Sequence, residues 1–239
     1  MQKLKIAFIL LPFIFLNSLA QNLTLSFYLG KNFPQKTYLK ISQDINKTFL
    51  RFEDVELSDR SFEFPLYYGM RASYDLRFIN PRIFAELEFI HSKVYSKPSQ
   101  IVRVYGIYRD VPIDTSLKLG DIVQNFSISH GLNYLILNFG YKATFNPKVG
   151  MFLKFGSGIS IPHFETTIDS LSFERYELNE FVIQLSGGLN FEVYKKVNAF
   201  VELKYTSGEI LNAGIFGGTA ETFIKMWHIV FGFSYSILK

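Results

Sequence analysis

The segment WHIVFGFSYSI, residues 227 to 237, decides the fold class. Its odd positions are bulky and apolar, and its even positions are mostly small or polar, such as Gly232 and Ser234. Side chains of a β-strand point to alternate faces, so this period of two predicts a strand with one apolar and one polar face. The segment FVIQLSGGLNFEV, residues 181 to 193, repeats the pattern.

The positions of the charged residues separate a soluble β-sandwich from a membrane barrel. Several strand-like segments carry charges on the face that would be a soluble core, namely Glu86, Glu88, Glu192, Glu202 and Lys204. A soluble core would not bury so many charges, whereas the polar interior of a membrane barrel accommodates them. The sequence therefore predicts an all-β protein, a transmembrane antiparallel up-and-down β-barrel of about eight strands. A soluble periplasmic sandwich is the remote alternative.

Short and long connections alternate along the chain. The short ones are FINP at 78 to 81, FNPK at 145 to 148 and KKVN near 195. Short periplasmic turns and long external loops are typical of outer-membrane barrels whose two termini lie in the periplasm. We expect long loops at 31 to 60, 94 to 124, 166 to 177 and 208 to 221. We expect strands at 22 to 30, 62 to 76, 82 to 93, 126 to 142, 149 to 164, 178 to 194, 198 to 207 and 222 to 238.

The first twenty residues, MQKLKIAFILLPFIFLNSLA, place Lys3 and Lys5 ahead of an apolar run that ends in small residues at Ala20. Such a run is too short for a spanning helix and is typical of a secretory signal. We expect residues 1–20 to be a signal peptide, residues 21–239 to be one barrel domain, and the protein to reside in the bacterial outer membrane.

Composition excludes several classes of protein. A chain of 239 residues with 48% hydrophobic and 19% charged residues has the material for one large ordered domain. The absence of cysteine excludes a disulfide framework and a thiolate metal site. A formal net charge of +4, which falls when the signal leaves, does not indicate nucleic-acid binding. A diffusion pore is not favoured, because the interior of so small a barrel is filled by side chains.

Tight turns fix which residues face each other on neighbouring strands. If FINP is tight, Arg71 stands opposite Glu88 on the inner face and forms a salt bridge there. The pair is interpreted as a structural plug, with a gate as the functional alternative. His228 is expected inside the barrel as a hydrogen-bonding residue rather than a ligand.

The fifth predicted strand turns polar in SGISIPHFETTI, residues 157 to 168. Its parity places His163 and Glu165 on the outward face, unless Pro162 marks a bulge. A tight turn at FNPK sets His130 opposite His163. On that register His130 shares the outward face with Leu132 and Tyr134.

His91 and Lys93 are also expected on the outward face, at the end of the third strand. Three of the four histidines then lie at the extracellular ends of adjacent strands, at the level where the sugars of lipid A are found. Histidine, lysine and tyrosine at a membrane interface are ordinary rim residues. Neutral imidazoles beside a carboxylate are, however, also suited to a divalent metal or to acid–base chemistry. The spacing of these residues is compatible with both interpretations.

Short motifs occur in an order and spacing that resemble the lipid A oxidase family of outer-membrane barrels. They are DRSFEFPLYYGMRASYDL (59 to 76), EFIHSKVYS (88 to 96), FSISHGLNYLILNFGYK (126 to 142), FGSGISIPHFE (155 to 165), and VELKYTSGEI followed by GGTAET (201 to 222). The resemblance runs from the second strand to the C-terminus and is weakest in the first strand and in the second long loop. Each motif is short, and their common order makes the set informative.

The resemblance implies an oxygen- and metal-dependent enzyme that oxidises the proximal glucosamine of lipid A to an aminogluconate unit. Its partners would be lipid A or lipopolysaccharide in the outer leaflet and outer-membrane lipid, and we expect a monomer. By motif position, the candidate catalytic residues are His91, His163, Glu165, Lys93 and Asn133. The candidate ligands of a divalent metal ion are His91, His163 and His130. The family carries an acidic residue near Ser129 and His130, where this sequence departs from it, which argues against a catalytic role for His130. The alternative function is a non-enzymatic structural or adhesive barrel.

Overall fold

The computed structural model describes residues 23–177 and 179–237, so the predicted signal peptide lies outside the described residues. Among these residues, no helix is long and apolar enough to cross a membrane. They form strands and one 3-10 turn, Leu119–Asp121. The strands are β1 (Leu23–Pro34), β2 (Thr37–Gln43), β3 (Thr48–Val55), β4 (Leu57–Ser58), β5 (Tyr68–Asp75), β6 (Ile83–Ser96), β7 (Ile101–Tyr108), β8 (Val111–Lys118), β9 (Val123–Asn146), β10 (Val149–Ile168), β11 (Leu171–Tyr176), β12 (Asn179–Tyr194), β13 (Val197–Ile215) and β14 (Gly218–Ser236).

Eight of these strands form an antiparallel up-and-down barrel in the order β1, β5, β6, β9, β10, β12, β13 and β14. Strand β1 pairs with β14 as well as with β5, so each of the eight strands has two hydrogen-bonded neighbours. The predicted fold class is therefore confirmed, because both the strand number and the antiparallel order agree with it.

The outward face of the barrel is apolar over the middle of its strands. We call this surface the apolar band; its exposed side chains include Leu25, Phe27, Leu87, Leu135, Leu137, Phe139, Leu153, Phe155, Ile159, Leu185, Leu203, Ile229, Phe231 and Phe233. A surface this extensively apolar is solvated by lipid chains rather than by water. With charged residues inside and apolar residues outside, the described chain has the architecture of an outer-membrane-type β-barrel.

A balanced ionic network fills the middle of the barrel. It consists of three cations and three carboxylates, all buried: Arg71, Lys154, Lys204, Glu86, Glu88 and Glu202. Arg71 Nε donates a hydrogen bond to Glu88 at 2.8 Å, and the two residues are direct partners across β5 and β6, as the FINP turn predicts. The inward positions of Glu86, Glu88, Glu202 and Lys204 are confirmed, and Glu192 lines a cavity at the end of the barrel that holds the short turns.

His228 is buried inside the barrel, as expected. Its Nδ1 is 3.0 Å from the hydroxyl of Tyr67, and its Nε2 is 2.8 Å from the hydroxyl of Thr206. Both ring nitrogens are therefore occupied by hydrogen bonds, which fits a structural role.

The external segments differ from the prediction. Instead of irregular loops, the chain continues the sheet outward from β14 through β2, β3, β7 and β8, while β11 pairs with β10. Alternation is present there, as in Leu39 and Ile41, but strands this short, bounded by turns, are not distinguished from loops by their sequence. The second barrel strand was predicted to begin at residue 62 and begins at Tyr68. The preceding residues leave the sheet.

Candidate functional site

The wall between β9 and β10 is interrupted by a β-bulge near its outer end. The pairing shifts by two residues between Pro162 and Phe164, so that residues 129 to 131 of β9 face the single residue His163. Gly131 has a φ of +136°, a conformation that residues with a Cβ rarely adopt. Bulges re-aim side chains beside functional sites, and this one lies where the sequence turns polar.

The predicted register of β9 was wrong by one residue below the bulge. Asn146 pairs with Val149 across the turn, two positions from the predicted register, and the unpaired Phe145 then moves the pairing back by one position. Because a shift of one residue reverses the faces of a strand, Leu132 and Tyr134 are buried in the barrel and not on the outward face with His130. The bulge nearer the outer end of the two strands shifts their pairing again, so His130 and His163 still lie close together, with ring centroids 5.0 Å apart.

His130, His163 and Glu165 form a compact group on the outward face, which we call the outer-rim cluster. One ligand atom from each residue lies within 4.8 Å of the other two. Nδ1 of His130 donates a hydrogen bond to Oε1 of Glu165, and Nδ1 of His163 is 3.6 Å from the same oxygen. The side chains are 63%, 12% and 26% exposed, respectively, so the group is reached from the His130 side.

Two further side chains hold the outer-rim cluster in place. The hydroxyl of Ser129 donates a hydrogen bond to Glu165, and Tyr176 of β11 packs on His163 with ring centroids 4.1 Å apart. Burial raises the pKa of Glu165, but the hydrogen bonds from Ser129 and His130 outweigh that effect and leave the pKa below its ordinary value. Glu165 is therefore an ionised carboxylate at neutral pH, and it attracts cations.

The outer-rim cluster fits a divalent transition metal. Two imidazole nitrogens and one carboxylate oxygen are the donor set of non-haem iron sites that keep open coordination positions. Nδ1 of His163 is buried and has no hydrogen-bond partner, although buried polar atoms are nearly always paired. A metal ion coordinated there would satisfy that nitrogen, and the nearby carboxylate would balance part of the charge.

The same residues are poorly arranged for a serine nucleophile. In a Ser–His–acid triad the hydroxyl and the carboxylate bond to opposite nitrogens of one imidazole. Here Ser129 and Glu165 both face Nδ1 of His130, the former at 3.0 Å. The geometry thus favours cation binding over acyl transfer.

The other predicted site residues lie apart from the outer-rim cluster. His91 is buried beneath Tyr68, with ring centroids 5.1 Å apart, and its Nδ1 donates to Oδ1 of Asn133 at 2.8 Å. Nε2 of His91 is also buried and unpaired, but no acid or second histidine groups with it among the described residues. Lys93 donates to the carbonyl oxygen of Glu63 at 2.8 Å.

The site residues predicted from the sequence therefore lie in separate places in the structure. Of the five catalytic candidates, His163 and Glu165 come together, whereas His91, Lys93 and Asn133 make separate contacts. Of the three metal candidates, His130 and His163 meet, and His91 lies outside the group found in the described chain.

Sequence reasoning missed Ser129 and Tyr176. Ser129 directly precedes His130, and this adjacency was the available signal. Tyr176 reaches His163 only because β11 folds back on β10, in a segment predicted to be a loop. No pattern in the sequence indicates that contact.

Neither a protein-family model nor a curated protein sequence matches this chain. Among solved structures, it is similar to the outer membrane protein OprG from Pseudomonas aeruginosa, with 12% identity over 90% of this chain and 95% of that one and a TM-score of 0.46. It is similar to Neisserial surface protein A, with 11% identity over 88% and 96% of the two chains and a TM-score of 0.42. It is also similar to Ail of Yersinia pestis, with 11% identity over 89% and 98% and a TM-score of 0.37. At these identities and TM-scores the likenesses say nothing about what this chain binds or does.

Proposed function

We propose that this outer-membrane barrel is a lipid A-modifying enzyme, an oxidase that acts on the proximal glucosamine at the outer-leaflet rim. The observation that carries the proposal is the outer-rim cluster, in which two histidines and an ionised glutamate converge around an unpaired imidazole nitrogen. The sequence motifs that resemble the lipid A oxidase family support the same activity.

The height of the cluster fits a glycolipid substrate. On the outward face of β10 the apolar band includes Phe155 and Ile159, and His163 follows on the same face. His163 is four positions beyond Ile159, which is about 13 Å along the strand. Sugars attached to acyl chains in the outer leaflet lie just beyond the hydrocarbon, at the level of these side chains.

The residues have separable roles in this proposal. His130, His163 and Glu165 would hold a divalent metal ion, which supplies sites for dioxygen activation when bound in this donor set. Ser129 orients Glu165 through its hydrogen bond, and partners of this kind tune ligands. Tyr176 fixes the ring of His163, and the exposed side of His130 leaves an approach for the substrate.

The overall reaction balances with dioxygen as oxidant. The reducing-end sugar loses two electrons and two protons from its anomeric C–H and O–H bonds, which gives a lactone, and dioxygen accepts them to become hydrogen peroxide. Water then opens the lactone to the aminogluconate. The product carries one oxygen atom more than the substrate.

Mass spectrometry of lipid A tests the activity. The protein is expressed in a host that lacks such an enzyme and whose lipid A carries a free anomeric hydroxyl on the proximal glucosamine, beside His163→Ala and a matched histidine control, His91→Ala. We expect an air-dependent gain of one oxygen that His163→Ala abolishes and His91→Ala retains. Unchanged lipid A from membranes that contain the folded barrel would refute the enzyme and leave the non-enzymatic structural or adhesive barrel.

Metal content tests the cluster separately. Refolded protein is incubated with Fe²⁺ under argon or with Co²⁺ in air, passed through a desalting column and analysed for bound metal. We expect one equivalent in the parent and in His91→Ala, and loss of that equivalent in the double variant His130→Ala with His163→Ala. Retention of the metal by the double variant would contradict the assignment of these ligands.

A further inference from the structure

The segment between β4 and β5 turns three apolar side chains away from the protein. Phe62, Phe64 and Leu66 are 69%, 93% and 42% exposed. Apolar side chains are more stable when removed from water, so the joint exposure of these three to water is unfavourable. Clustered exposed apolar side chains mark surfaces that contact a partner or a membrane.

This segment is held firmly despite its exposure. The hydroxyl of Ser61 accepts a hydrogen bond from the backbone N–H of Asn32 at 3.2 Å. The carbonyl oxygen of Glu63 accepts from Lys93 Nζ at 2.8 Å, and Tyr67 is buried against His228. The apolar side chains are therefore presented by a fixed backbone.

The exposed side chains continue the apolar band. Nζ of Lys31 lies 5.4 Å from the ring centroid of Phe33 and 6.0 Å from that of Phe62. Phe33 is exposed on the outward face of β1, where its strand partner is Trp227 on β14. Since lipid covers this surface of the barrel, lipid of the outer leaflet is the occupant that also fits Phe62 and its neighbours.

Arg60, a cation of this segment, packs on the strand next to the one that carries His130. The guanidinium of Arg60 stacks over Tyr95 at 4.1 Å, and its ion pair with Glu63 is long, at 3.5 Å, and exposed. Tyr95 lies on β6, where its strand partner is Ser127 of β9. Arg60 thus packs against the strand next to β9, the strand that carries Ser129 and His130.

We propose that residues 59–66 and Lys31 form a lipid clamp for an anionic glycolipid. Phe62, Phe64 and Leu66 enter the acyl layer, and Arg60 with Lys31 binds a phosphate-type group of the headgroup. Arginine suits this role because its planar fork bonds two phosphate oxygens at once. The clamp deepens the proposed function. It rests on that function for one point alone, namely that the bound headgroup is the one presented to the outer-rim cluster.

Fluorescence quenching tests the apolar part of the clamp. Phe64→Trp is made in a Trp227→Phe background, and the barrel is refolded into vesicles with bromine-labelled acyl chains. The matched control is Ile45→Trp, in the external turn between β2 and β3, where the side chain is 68% exposed. We expect brominated lipid to quench position 64 and aqueous iodide to quench position 45. Equal iodide quenching at the two positions would overturn the membrane contact.

Lipid selectivity tests the charged part. Vesicles of phosphatidylcholine carry a minor fraction of brominated phosphatidic acid or, in the second arm, of brominated phosphatidylcholine. We expect phosphatidic acid to be enriched about fivefold near the position-64 tryptophan, as one charge-assisted contact would give. Arg60→Gln should abolish the enrichment, and Arg103→Gln, an external arginine paired with Asp114, should preserve it.

Two results would overturn the headgroup assignment. One is equal quenching by the two brominated lipids in the parent, and the other is loss of the enrichment on addition of inorganic phosphate, which would make free phosphate the ligand. These readouts do not involve lipid A oxidation. A failed clamp with oxidised lipid A leaves the enzyme standing, and a working clamp with unchanged lipid A leaves only the binding site.

Discussion

Glu88 is the hub of the ionic network, and Glu88→Gln is the sharpest test of what holds this barrel together. The carboxylate accepts hydrogen bonds from Tyr28 at 2.7 Å, Arg71 at 2.8 Å, Asn138 at 2.9 Å and Gln184 at 2.6 Å. It also contacts both buried lysines. The amide keeps the shape of the side chain and removes its charge, which leaves three buried cations facing two carboxylates.

Breaking one member of a buried ion pair costs about 3–5 kcal/mol, because the partner stays charged and buried. The same loss shifts the urea midpoint by roughly 1.5–2.5 M if the slope is about 2 kcal/mol per M. The assay is urea-dependent folding in lipid vesicles, followed by the fluorescence of the only tryptophan, Trp227. The matched control is Glu221→Gln, whose pair with Lys40 is partly exposed and should contribute about 1 kcal/mol or less.

A second substitution separates charge imbalance from lost hydrogen bonds. Glu88→Gln combined with Lys204→Met leaves two cations, Arg71 and Lys154, opposite two carboxylates, Glu86 and Glu202. We expect the double variant to recover at least half of the stability lost in Glu88→Gln, a coupling that a double-mutant cycle measures directly. A single variant as stable as the parent, or a double variant whose losses simply add, would refute the reasoning.

Three further outcomes are expected from the interior. Tyr67→Phe removes the hydroxyl that bonds to His228 and should lower the free energy of unfolding by about 1–3 kcal/mol in the same urea assay, unlike a change at the surface. Gly69→Ala should destabilise by about 1–3 kcal/mol through overpacking, because the new Cβ would lie 2.0 Å from Cζ of Tyr28; Gly208→Ala, with a nearest contact of 3.2 Å, is the milder control. In planar bilayers the parent should give no sustained single-channel openings, and a steady conductance would contradict the description of the ionic network as a plug.

The sequence predicts most reliably where structure depends on short-range rules. Alternation and charge placement are local properties, and they are sufficient for the barrel and its inward charges. The FINP turn is also local, so the pairing of Arg71 with Glu88 follows from counting residues across it. Counting failed at FNPK because the turn pairs Asn146 with Val149 and leaves Phe145 unpaired, details of turn geometry that its residue types do not specify.

The candidate site also combines features that the sequence predicts with features that it does not. His130, His163 and Glu165 could be brought near one another from two neighbouring strands, but the bulge that aligns them has its extra residues at 129 to 131 of β9, whereas the sequence suggested one only at Pro162 of β10. The contact between Tyr176 and His163 depends on an external hairpin. Residues 62 to 67 alternate like a strand, yet their apolar side chains are exposed outside the sheet, which alternation cannot distinguish from a barrel wall.

The unequal lengths of the barrel strands give the molecule a preferred side for encounters in the membrane plane. Strand β5 has 8 residues and β9 has 24, which correspond to about 26 Å and 79 Å of extended chain. The wall is therefore low at β5 and tall at β9 and β10. The outer-rim cluster lies on the tall side, between β9 and β10, so a lipid that diffuses in the membrane plane reaches it from one sector of the barrel. Access to the outer-rim cluster thus depends on the rotational orientation of the barrel about the membrane normal, so rotation as well as translation contributes to the rate of productive encounter.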